Sequence, residues 1–319
     1  MECITQKITD DYAIYNGDCV EIIKDIPKES IGLTIYSPPF CGLYNYSSSN
    51  RDMSNCHTYE SFLKHYSYLL PEIDRITIPG RLCVVHCADI PNPGQRTGYY
   101  DLQGKLIDLH TQYGFYFYGR ICIWKEPLRV TIRTRLKHLT HKQLTKDSAS
   151  STIAAGDFIL LFKKKGDNPK PITHKNGFQE YHGERKIPDV LQRYKGITEQ
   201  KENKLSHWIW RKYASCIWDD IRIERVLPFK ESKEPDDEKH VHALQLDVIE
   251  RCIALWSNPG DTVFTPFMGV GSEVYTAVKN DRKGIGIELK PSYYKQSVKN
   301  LASLTRSLKR GKTKQGIVH

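Results

Sequence analysis

The part of this sequence that most limits its fold is DTVFTPFMGVGSEVYTAVKNDRKGIGIEL, residues 261–289. An apolar strand is followed by a turn that contains Gly269 and Gly271, an amphipathic helix and a second apolar strand that ends at Glu288. Two strands joined by a helix are typical of parallel neighbours in one sheet. The glycines let a ligand approach the backbone, and the helix that begins near Ser272 directs its positive end to the same place.

The acid at the end of the second strand indicates a nucleoside ligand. Glu288 lies 17 residues after Gly271, and a carboxylate at that point commonly accepts hydrogen bonds from ribose hydroxyls. The segment has neither the GxGxxG pattern of dinucleotide sites nor a P-loop lysine after the turn. The remaining common nucleoside cofactor for this type of sheet is S-adenosylmethionine. Its methionine carboxylate would meet the helix N-terminus and its adenosine would meet Glu288.

Strands and helices alternate over most of the chain, which predicts an α/β fold with a largely parallel sheet. Residues 165–239 interrupt the pattern with a polar, irregular stretch, so we expect a second, smaller lobe there. Trp208, Trp210 and Trp218 are expected to form the core of that lobe, and Pro71 is expected to break the second helix. Strands are predicted at 12–15, 32–36, 81–90, 115–124, 157–164, 261–265 and 284–289, and helices at 19–26, 58–76, 102–114, 244–256, 271–280 and 292–304.

The composition excludes several classes of protein. With 319 residues, of which 39% are hydrophobic, the chain can bury a sizeable core, and it has no run of about 18 apolar residues that would span a membrane. Its first residues lack an apolar signal segment, and its nine cysteines show no repeated pair spacing. We therefore expect free cysteines and a cytoplasmic location. Cys83 and Cys87 lie in an apolar strand, so we expect core positions rather than a metal site.

The positive charge points to a polyanionic partner. The net charge is +10, and the stretch from Arg120 to Lys146 carries eight Lys or Arg residues but one acid. Such a concentration of charge favours contact with nucleic-acid phosphates over a merely solvated surface. The basic residues after 304 are instead expected to form a solvated tail. Four residues are the candidate phosphate contacts: Arg129, Arg133, Arg135 and Lys137.

The stretch LTIYSPPF (33–40) predicts chemistry at a strand end. Proline cannot donate to a sheet ladder, so the strand must stop before Pro38 and Pro39. Their carbonyls and the Ser37 hydroxyl would accept hydrogen bonds from an exocyclic amine, whose nitrogen would thereby become more nucleophilic. Phe40 offers a flat face on which a base can stack, and a base in a duplex must leave the helix to reach it.

Together these motifs resemble the DNA amino-methyltransferases of the β arrangement, in which the catalytic motif precedes the cofactor motif. SPPF matches the catalytic motif of that family, and NGDCVEIIKDIP (16–27) resembles its N-terminal GD motif, whose acid, here Asp18, contacts the cofactor adenine. The segment from His242 resembles the family's stretch from HPTQKP to DPFxGSGT, with Gln245 also in place. GIGIELKPSYY resembles its ribose-binding strand and the following helix.

The resemblance implies a Rossmann-like, S-adenosylmethionine-dependent methyltransferase fold with permuted motif order and a smaller target-recognition lobe. It implies a catalytic half over 1–164, a target-recognition insert over 165–239, a cofactor-binding half over 240–304 and a basic tail over 305–319. Double-stranded DNA is the expected substrate. A homodimer and a cognate restriction endonuclease are further candidate partners, and no metal is expected. The implied cofactor residues are Asp18, His242, Gln245, Phe267, Gly269, Gly271, Ser272 and Glu288, and the implied catalytic residues are Ser37, Pro38, Pro39 and Phe40.

Two departures from the family pattern stand out. Thr265 replaces the acid of DPF, and Leu246-Asp247 replaces the lysine-proline of HPTQKP. Serine before the two prolines resembles the cytosine-N4 enzymes, whereas aspartate there resembles the adenine-N6 enzymes, so we expect N4-methylcytosine with adenine-N6 methylation as the alternative. Asp18 could instead only cap a helix, and His242 could be a core or surface residue.

Two other classes of function remain open. The first is a catalytically inactive DNA-binding protein on the same scaffold, which the intact catalytic and glycine motifs disfavour. The second is methylation of RNA or of a protein glutamine amide. Protein-amide enzymes of this type usually carry asparagine rather than serine before the prolines, and the long basic insert suits a duplex better than a peptide.

Overall fold

The computed structural model describes residues 3–39, 49–91, 98–133, 138–232 and 243–315. The strands are β1 (Thr5–Ile8), β2 (Tyr12–Asn16), β3 (Ile31–Tyr36), β4 (Thr77–Ala88), β5 (Ile90–Pro91), β6 (Tyr99–Tyr100), β7 (Phe115–Ile123), β8 (Asp157–Lys164), β9 (Ile217–Trp218), β10 (Thr262–Thr265) and β11 (Lys283–Glu288). The helices are α1 (Cys19–Ile22), α2 (Tyr59–Ser67), α3 (Leu70–Ile76), α4 (Leu102–Gln112), α5 (Pro127–Arg133), α6 (His141–Leu144), α7 (Asp189–Gln192), α8 (Lys204–Tyr213), α9 (Leu246–Trp256), α10 (Ser272–Lys279) and α11 (Pro291–Gln315).

One large sheet organises the described residues, with the strand order β1-β2-β11-β10-β3-β4-β8-β7-β9. The five strands from β2 to β4 are parallel to one another, whereas β8 is antiparallel to both of its neighbours. The α/β fold with a largely parallel sheet is therefore confirmed. The hairpin of β1 and β2 at one edge was not predicted, because β1 is short and has no buried residue.

The order of the strands contains a reversal between β3 and β10. From β10 the chain passes through α10 to β11 on one side, and from β3 it passes through α2 and α3 to β4 on the other. Connections that leave two adjacent parallel strands in opposite directions open a crevice at their carboxyl ends, where α/β proteins bind ligands. The register Val263↔Leu33 and Phe264↔Thr34 confirms that the predicted catalytic and cofactor strands lie side by side.

The central strands are buried on both faces, which explains their continuous apolar sequences. Leu33 and Ile35 of β3 pack with α9, whereas Tyr36 points to the opposite face and packs with α2, α3 and α4. Cys83 and Cys87 are fully buried in the same core as Tyr36, as expected for apolar strand positions. Within the described residues, no helix combines the length and apolar composition needed to cross a bilayer.

Local signals explain where several helices begin and end. The Thr58 hydroxyl accepts from the backbone N–H of Ser61 and starts α2, and Pro71 lies in the first turn of α3, where its missing N–H is not needed. The predicted helix over 58–76 is thus two helices that separate just before Pro71. Helix α11 continues to Gln315, so the expected tail over 305–319 is helical as far as that residue.

The segment 165–239 contains the short helices α7 and α8 and the edge strand β9. Trp208 packs against a small cluster around Tyr181 and Tyr213, as expected. The expectation was wrong for the other two tryptophans. Trp218 lies in β9 and is fully buried in the core of the main sheet, whereas Trp210 is exposed on the polar side of α8. Strand β9 was missed because two residues are too short to show a period.

Ion pairs whose acids are buried join this segment to α9. Arg251 of α9 is fully buried, and its guanidinium donates to Asp220 at 2.8 Å and to the His182 carbonyl at 2.7 Å. In a second set of ion pairs the segment supplies the arginines and α9 supplies the acid: Arg222 and Arg225 both donate to Asp247 at 2.6 Å. The departure at Asp247 therefore has a structural explanation, because this acid pairs with two arginines of the segment.

Candidate active site

One cavity lies at the carboxyl ends of β2, β11, β10 and β3, next to the strand-order reversal. Eight of the predicted site residues line it: Asp18, Ser37, Pro38, Pro39, Phe267, Gly269, Ser272 and Glu288. Gly271 and Gln245 do not line it, and Phe40 and His242 lie outside the described residues. The structure thus brings the predicted catalytic strand end and the predicted cofactor turn, which are far apart in the sequence, to one cavity.

The glycine turn depends on left-handed backbone that other residues adopt with strain. Gly269 has φ 54° and Gly271 has φ 92°. A Cβ atom on Gly271 would lie 3.0 Å from the Cβ of Ser297 in α11. Gly271 is therefore needed for the close packing of the turn on α11, whereas Gly269 forms part of the cavity wall.

Glu288 is held in place by two backbone groups. Its Oε2 accepts from the N–H of Gly269 at 2.6 Å, and its Oε1 accepts from the N–H of Lys290 at 2.8 Å. Burial raises the pKa of this carboxyl to about 7, although both backbone hydrogen bonds lower it. Each oxygen keeps a further lone pair, so the side chain is placed to accept from a ligand hydroxyl in the cavity.

A second acid of the cavity wall, Glu273, was missed by the sequence analysis. It lies in the first turn of α10, is 4% exposed, and burial raises the pKa of its carboxyl to about 8. Beside it in the sequence, the Ser272 hydroxyl is buried and has no hydrogen-bond partner among the described residues. Buried polar groups are normally paired, so Ser272 fits a ligand that supplies its partner.

The position of the missing family acid is not part of the cavity wall. Thr265 is fully buried, and its hydroxyl has no partner among the described residues. Glu273 lies in the wall eight residues later and supplies a carboxyl group there. Two acids, Glu273 and Glu288, and an unpartnered hydroxyl suit the cationic, donor-rich groups of S-adenosylmethionine. The signal that could have revealed Glu273 is its place directly after the GxGS turn.

Asp18 both caps a helix and lines the cavity. Its Oδ1 accepts from the N–H of Val20 at 2.9 Å, which starts α1, and its Oδ2 pairs with Arg51 at 2.7 Å. The two interpretations of Asp18 are therefore not exclusive. Arg51 also lines the cavity and was missed, because a single arginine in a polar loop carries no distinguishing signal.

Ser37 is hydrogen-bonded to a histidine of the neighbouring strand. Its Oγ lies 3.2 Å from Nδ1 of His86, whose Nε2 lies 3.0 Å from Oδ2 of Asp157. From the sequence alone, His86 is only one residue of a predicted apolar strand. Phe267 also lines the cavity. The centroid of its ring lies 5.7 Å from that of Tyr36, so Phe267 contacts the core as well.

In the basic stretch 120–146, some side chains form ion pairs with acids, and others lie outside the part of the chain that the structure describes. Lys125 turns inward and pairs with Asp157, and Arg129 of α5 pairs with Glu224 at 3.3 Å on the surface. The backbone of Arg133 ends α5, but the placement of its side chain is not described. Arg135 and Lys137 lie outside the described residues. No group of three or more metal-ligating side chains within the described ranges is arranged to hold a metal ion.

Among known proteins, the chain is similar in sequence to several methyltransferases. Type II methyltransferase M.BamHI of Bacillus amyloliquefaciens is 24% identical over 288 residues, which cover 88% of this chain but only 55% of that protein. The orphan methyltransferase M.BamHII of the same species is 25% identical over 285 residues, covering 83% of this chain and 88% of that protein. DNA adenine methyltransferase YhdJ of Escherichia coli strain K12 is 23% identical over 292 residues, covering 90% of this chain and 82% of that protein.

The fold has a counterpart among solved structures. The structure of the PvuII DNA methyltransferase, titled cytosine-N4-specific, superposes with a TM-score of 0.60 at 16% identity, covering 96% of this chain and 94% of that one. Residues 31–299 of the chain match the family model described as DNA methylase. Since this match spans well over half of the chain and contains most of the cavity wall, the protein belongs to the DNA methylase family.

Proposed function

We propose that the chain is a site-specific DNA methyltransferase that methylates the exocyclic N4 amine of a cytosine flipped out of the duplex. The observation that carries this proposal is the single cavity lined both by Ser37 and Pro38 and by the glycine turn with Glu288. Acceptors for an amine and groups for a nucleoside cofactor therefore lie within one binding site. The polar segment 165–239, fastened to α9, is proposed to recognise the target sequence.

The methyl donor is S-adenosylmethionine, which supplies an electrophilic methyl group on a positively charged sulfur. Among the residues of this chain, Glu288 would accept from the ribose hydroxyls and Asp18 would lie at the adenine. Phe267 would form an apolar wall, and Ser272 and Glu273 would meet the amino-acid end at the start of α10.

The chain itself contributes position rather than a nucleophile. The Pro38 carbonyl and the Ser37 hydroxyl would accept the two N–H groups of the amine, which leaves the nitrogen lone pair free for attack on the methyl carbon. Most of the rate is expected from holding that nitrogen in line, since well-oriented reactants gain roughly 7–11 kcal/mol over free encounter. Cys41 is not proposed to form a covalent bond with the base.

Cytosine is proposed over adenine because Ser37 stands where the adenine-N6 members of the family carry aspartate. Adenine-N6 methylation is the second candidate, and the similarity to the adenine methyltransferase YhdJ supports it. Both bases present an amine with two N–H donors, so the acceptors at the end of β3 would serve either one.

The experiment is to express the chain in a host without DNA methyltransferases and to analyse digested DNA by mass spectrometry. We expect N4-methylcytosine, and much less of it in DNA from a matched Ser37→Ala strain. Finding N6-methyladenine instead would support the same reaction but would show that the target base is adenine rather than cytosine. 5-Methylcytosine would contradict the mechanism, and unmodified DNA together with tight DNA binding would support the inactive DNA-binding protein instead.

A further inference from the structure

The contacts behind Ser37 form a chain of buried polar groups that extends away from the cavity. Ser37 lines the cavity, whereas His86 and Asp157 do not. The distances are 3.2 Å from the Ser37 hydroxyl to His86 Nδ1 and 3.0 Å from His86 Nε2 to Asp157 Oδ2, and Lys125 pairs with the same carboxylate. His86 and Asp157 are 8% and 4% exposed, so these contacts are shielded from water.

Strand register explains why these three residues meet. Tyr36 pairs with Val85 in parallel β3 and β4, so Ser37 and His86 are the next neighbours along the two strands. In antiparallel β4 and β8, Asp157 pairs with Ala88, two residues after His86, which makes His86 and Asp157 diagonal neighbours on one face. The arrangement is therefore a property of the sheet, which is more rigid than a loop.

Asp157 is an ionised acceptor. Burial opposes its ionisation, but the charge of Lys125 and the hydrogen bond from His86 outweigh burial and lower the pKa of this carboxyl to about 2. A carboxylate at Nε2 fixes the ring proton on that nitrogen, so the neutral ring presents the lone pair of Nδ1 to Ser37. The hydroxyl then donates its proton to His86 and directs its own lone pairs into the cavity.

We propose that His86, supported by Asp157 and Lys125, takes up through Ser37 the proton that the target amine loses during methylation. This proposal rests on the proposed methyltransfer. The amine nitrogen bonds to the methyl carbon while the carbon–sulfur bond breaks and leaves its electron pair on sulfur. The nitrogen, now positive, gives a proton to Ser37 Oγ as the hydroxyl proton moves to His86 Nδ1. The resulting imidazolium faces the Asp157 carboxylate, and the proton returns through Ser37 to water after the product leaves.

His86 is thus a positioning residue that acts through Ser37. An asparagine at this position can place its side-chain oxygen near the site of Nδ1, where it accepts from Ser37 but cannot take up a proton. His86→Asn therefore separates orientation of the hydroxyl from proton uptake. His182→Asn is a matched control, because His182 is another buried histidine, 3.0 Å from the carboxylate of Glu250, and does not line the cavity.

The test measures single-turnover methylation of DNA by the full chain carrying Ser37→Ala, His86→Asn or both changes. We expect His86→Asn to lower the rate by about 10²–10⁴-fold, the range for general acid–base catalysis, with the affinities for S-adenosylmethionine and DNA unchanged. In the Ser37→Ala background it should add less than about threefold, because residues that act as a unit are not additive. His182→Asn should show no coupling to Ser37→Ala.

Three results would overturn the proposal: a wild-type rate for His86→Asn, equal losses in both backgrounds, or a loss explained by weaker binding alone. If His86→Asn fails to fold, Asp157→Asn can replace it in the double-mutant cycle with Ser37→Ala. The asparagine amide still occupies the site beside Nε2 of His86 but lacks the charge that supports the imidazolium. A wild-type chain that methylates no DNA would instead contradict the proposed function itself, since this cycle requires wild-type turnover.

Discussion

The carboxylate of Glu288 accepts the backbone N–H of Gly269 at 2.6 Å, so the acid that ends one strand fixes the turn that follows its neighbour. Both residues line the cavity. A change at Glu288 therefore affects the ligand in two ways, through a direct contact and through the shape of the turn.

The first prediction concerns the pH dependence of cofactor binding. Burial raises the pKa of Glu288 to about 7, so its carboxyl loses its charge as the pH falls through 7, and ribose hydroxyls then lose a charged acceptor. Titration calorimetry should show an affinity for S-adenosylmethionine that falls by up to about tenfold per pH unit below 7. Because the pKa of Glu273 is raised to about 8, the affinity for S-adenosylmethionine should also depend on pH between about 7 and 8.

Glu288→Gln is the control for this assignment. It should lower the affinity by roughly 1.5–3 kcal/mol at pH 8, the range for hydrogen bonds to a charged group, and should flatten the pH dependence near 7. Unchanged affinity at pH 8 in a folded variant would show that the ribose binds elsewhere.

The second prediction separates turnover from cofactor binding. Ser37→Ala and Phe40→Ala remove an acceptor and a stacking face for the base, and neither group is expected to contact the cofactor. Both variants should lower the single-turnover rate by at least tenfold and leave the affinity for S-adenosylmethionine within about twofold of wild type, since loss of base stacking alone costs roughly 1–3 kcal/mol. A parallel loss of affinity for S-adenosylmethionine would contradict the assignment of Ser37 and Phe40 to the base rather than to the cofactor.

The third prediction concerns the basic stretch. If Arg133 and Arg135 contact phosphates, their joint replacement by alanine should reduce the slope of log affinity for DNA against log salt by about two, since each contact contributes roughly 0.9. Lys24 and Lys28, which form exposed ion pairs with Glu21 and Glu29 near the start of the chain, provide a control pair for loss of the same charge. An unchanged slope would place both arginines away from the DNA.

The fourth prediction concerns the stability of the 165–239 segment. Arg251 is fully buried among the rings of Tyr181, Tyr213 and Trp218 and pairs with Asp220. Arg251→Met would leave the Asp220 charge buried and lower the free energy of unfolding by about 3–5 kcal/mol. Chemical denaturation measures this loss, for which exposed Arg211→Ala, expected within about 0.5 kcal/mol of wild type, is the control. A small loss for Arg251→Met would mean that the segment is held mainly by its apolar contacts.

Local sequence patterns predicted the central part of this fold well. Apolar runs, glycines and prolines locate β3, β10, α10 and β11, and the strand-end positions of Ser37 and Glu288 follow from them. Strand β9 and the contribution of Trp218 to the main core could not be predicted, because a two-residue strand at a sheet edge has no period of its own.

The contacts among Ser37, His86 and Asp157 could not be predicted from the sequence for a different reason. His86 and Asp157 are 71 residues apart, and they meet because β4 and β8 pair in one particular register, which no local pattern in either strand specifies. In the sequence, Asp247 was likewise only a departure from the pattern of the family. Only the three-dimensional contacts with Arg222 and Arg225 show that it holds another segment.

The ion pairs between the 165–239 segment and α9 also limit how sequence specificity can change. If this segment recognises DNA, transplanting it from a relative as a cassette would bring new residues to positions 222 and 225 while Asp247 and Glu250 stayed behind in the host helix. Each mismatch would remove one partner of a buried acid, and a mismatch at both positions would leave Asp247 without either arginine. New specificity is therefore expected to arise through changes on the outer surface of the segment, or through joint exchange of the segment and α9.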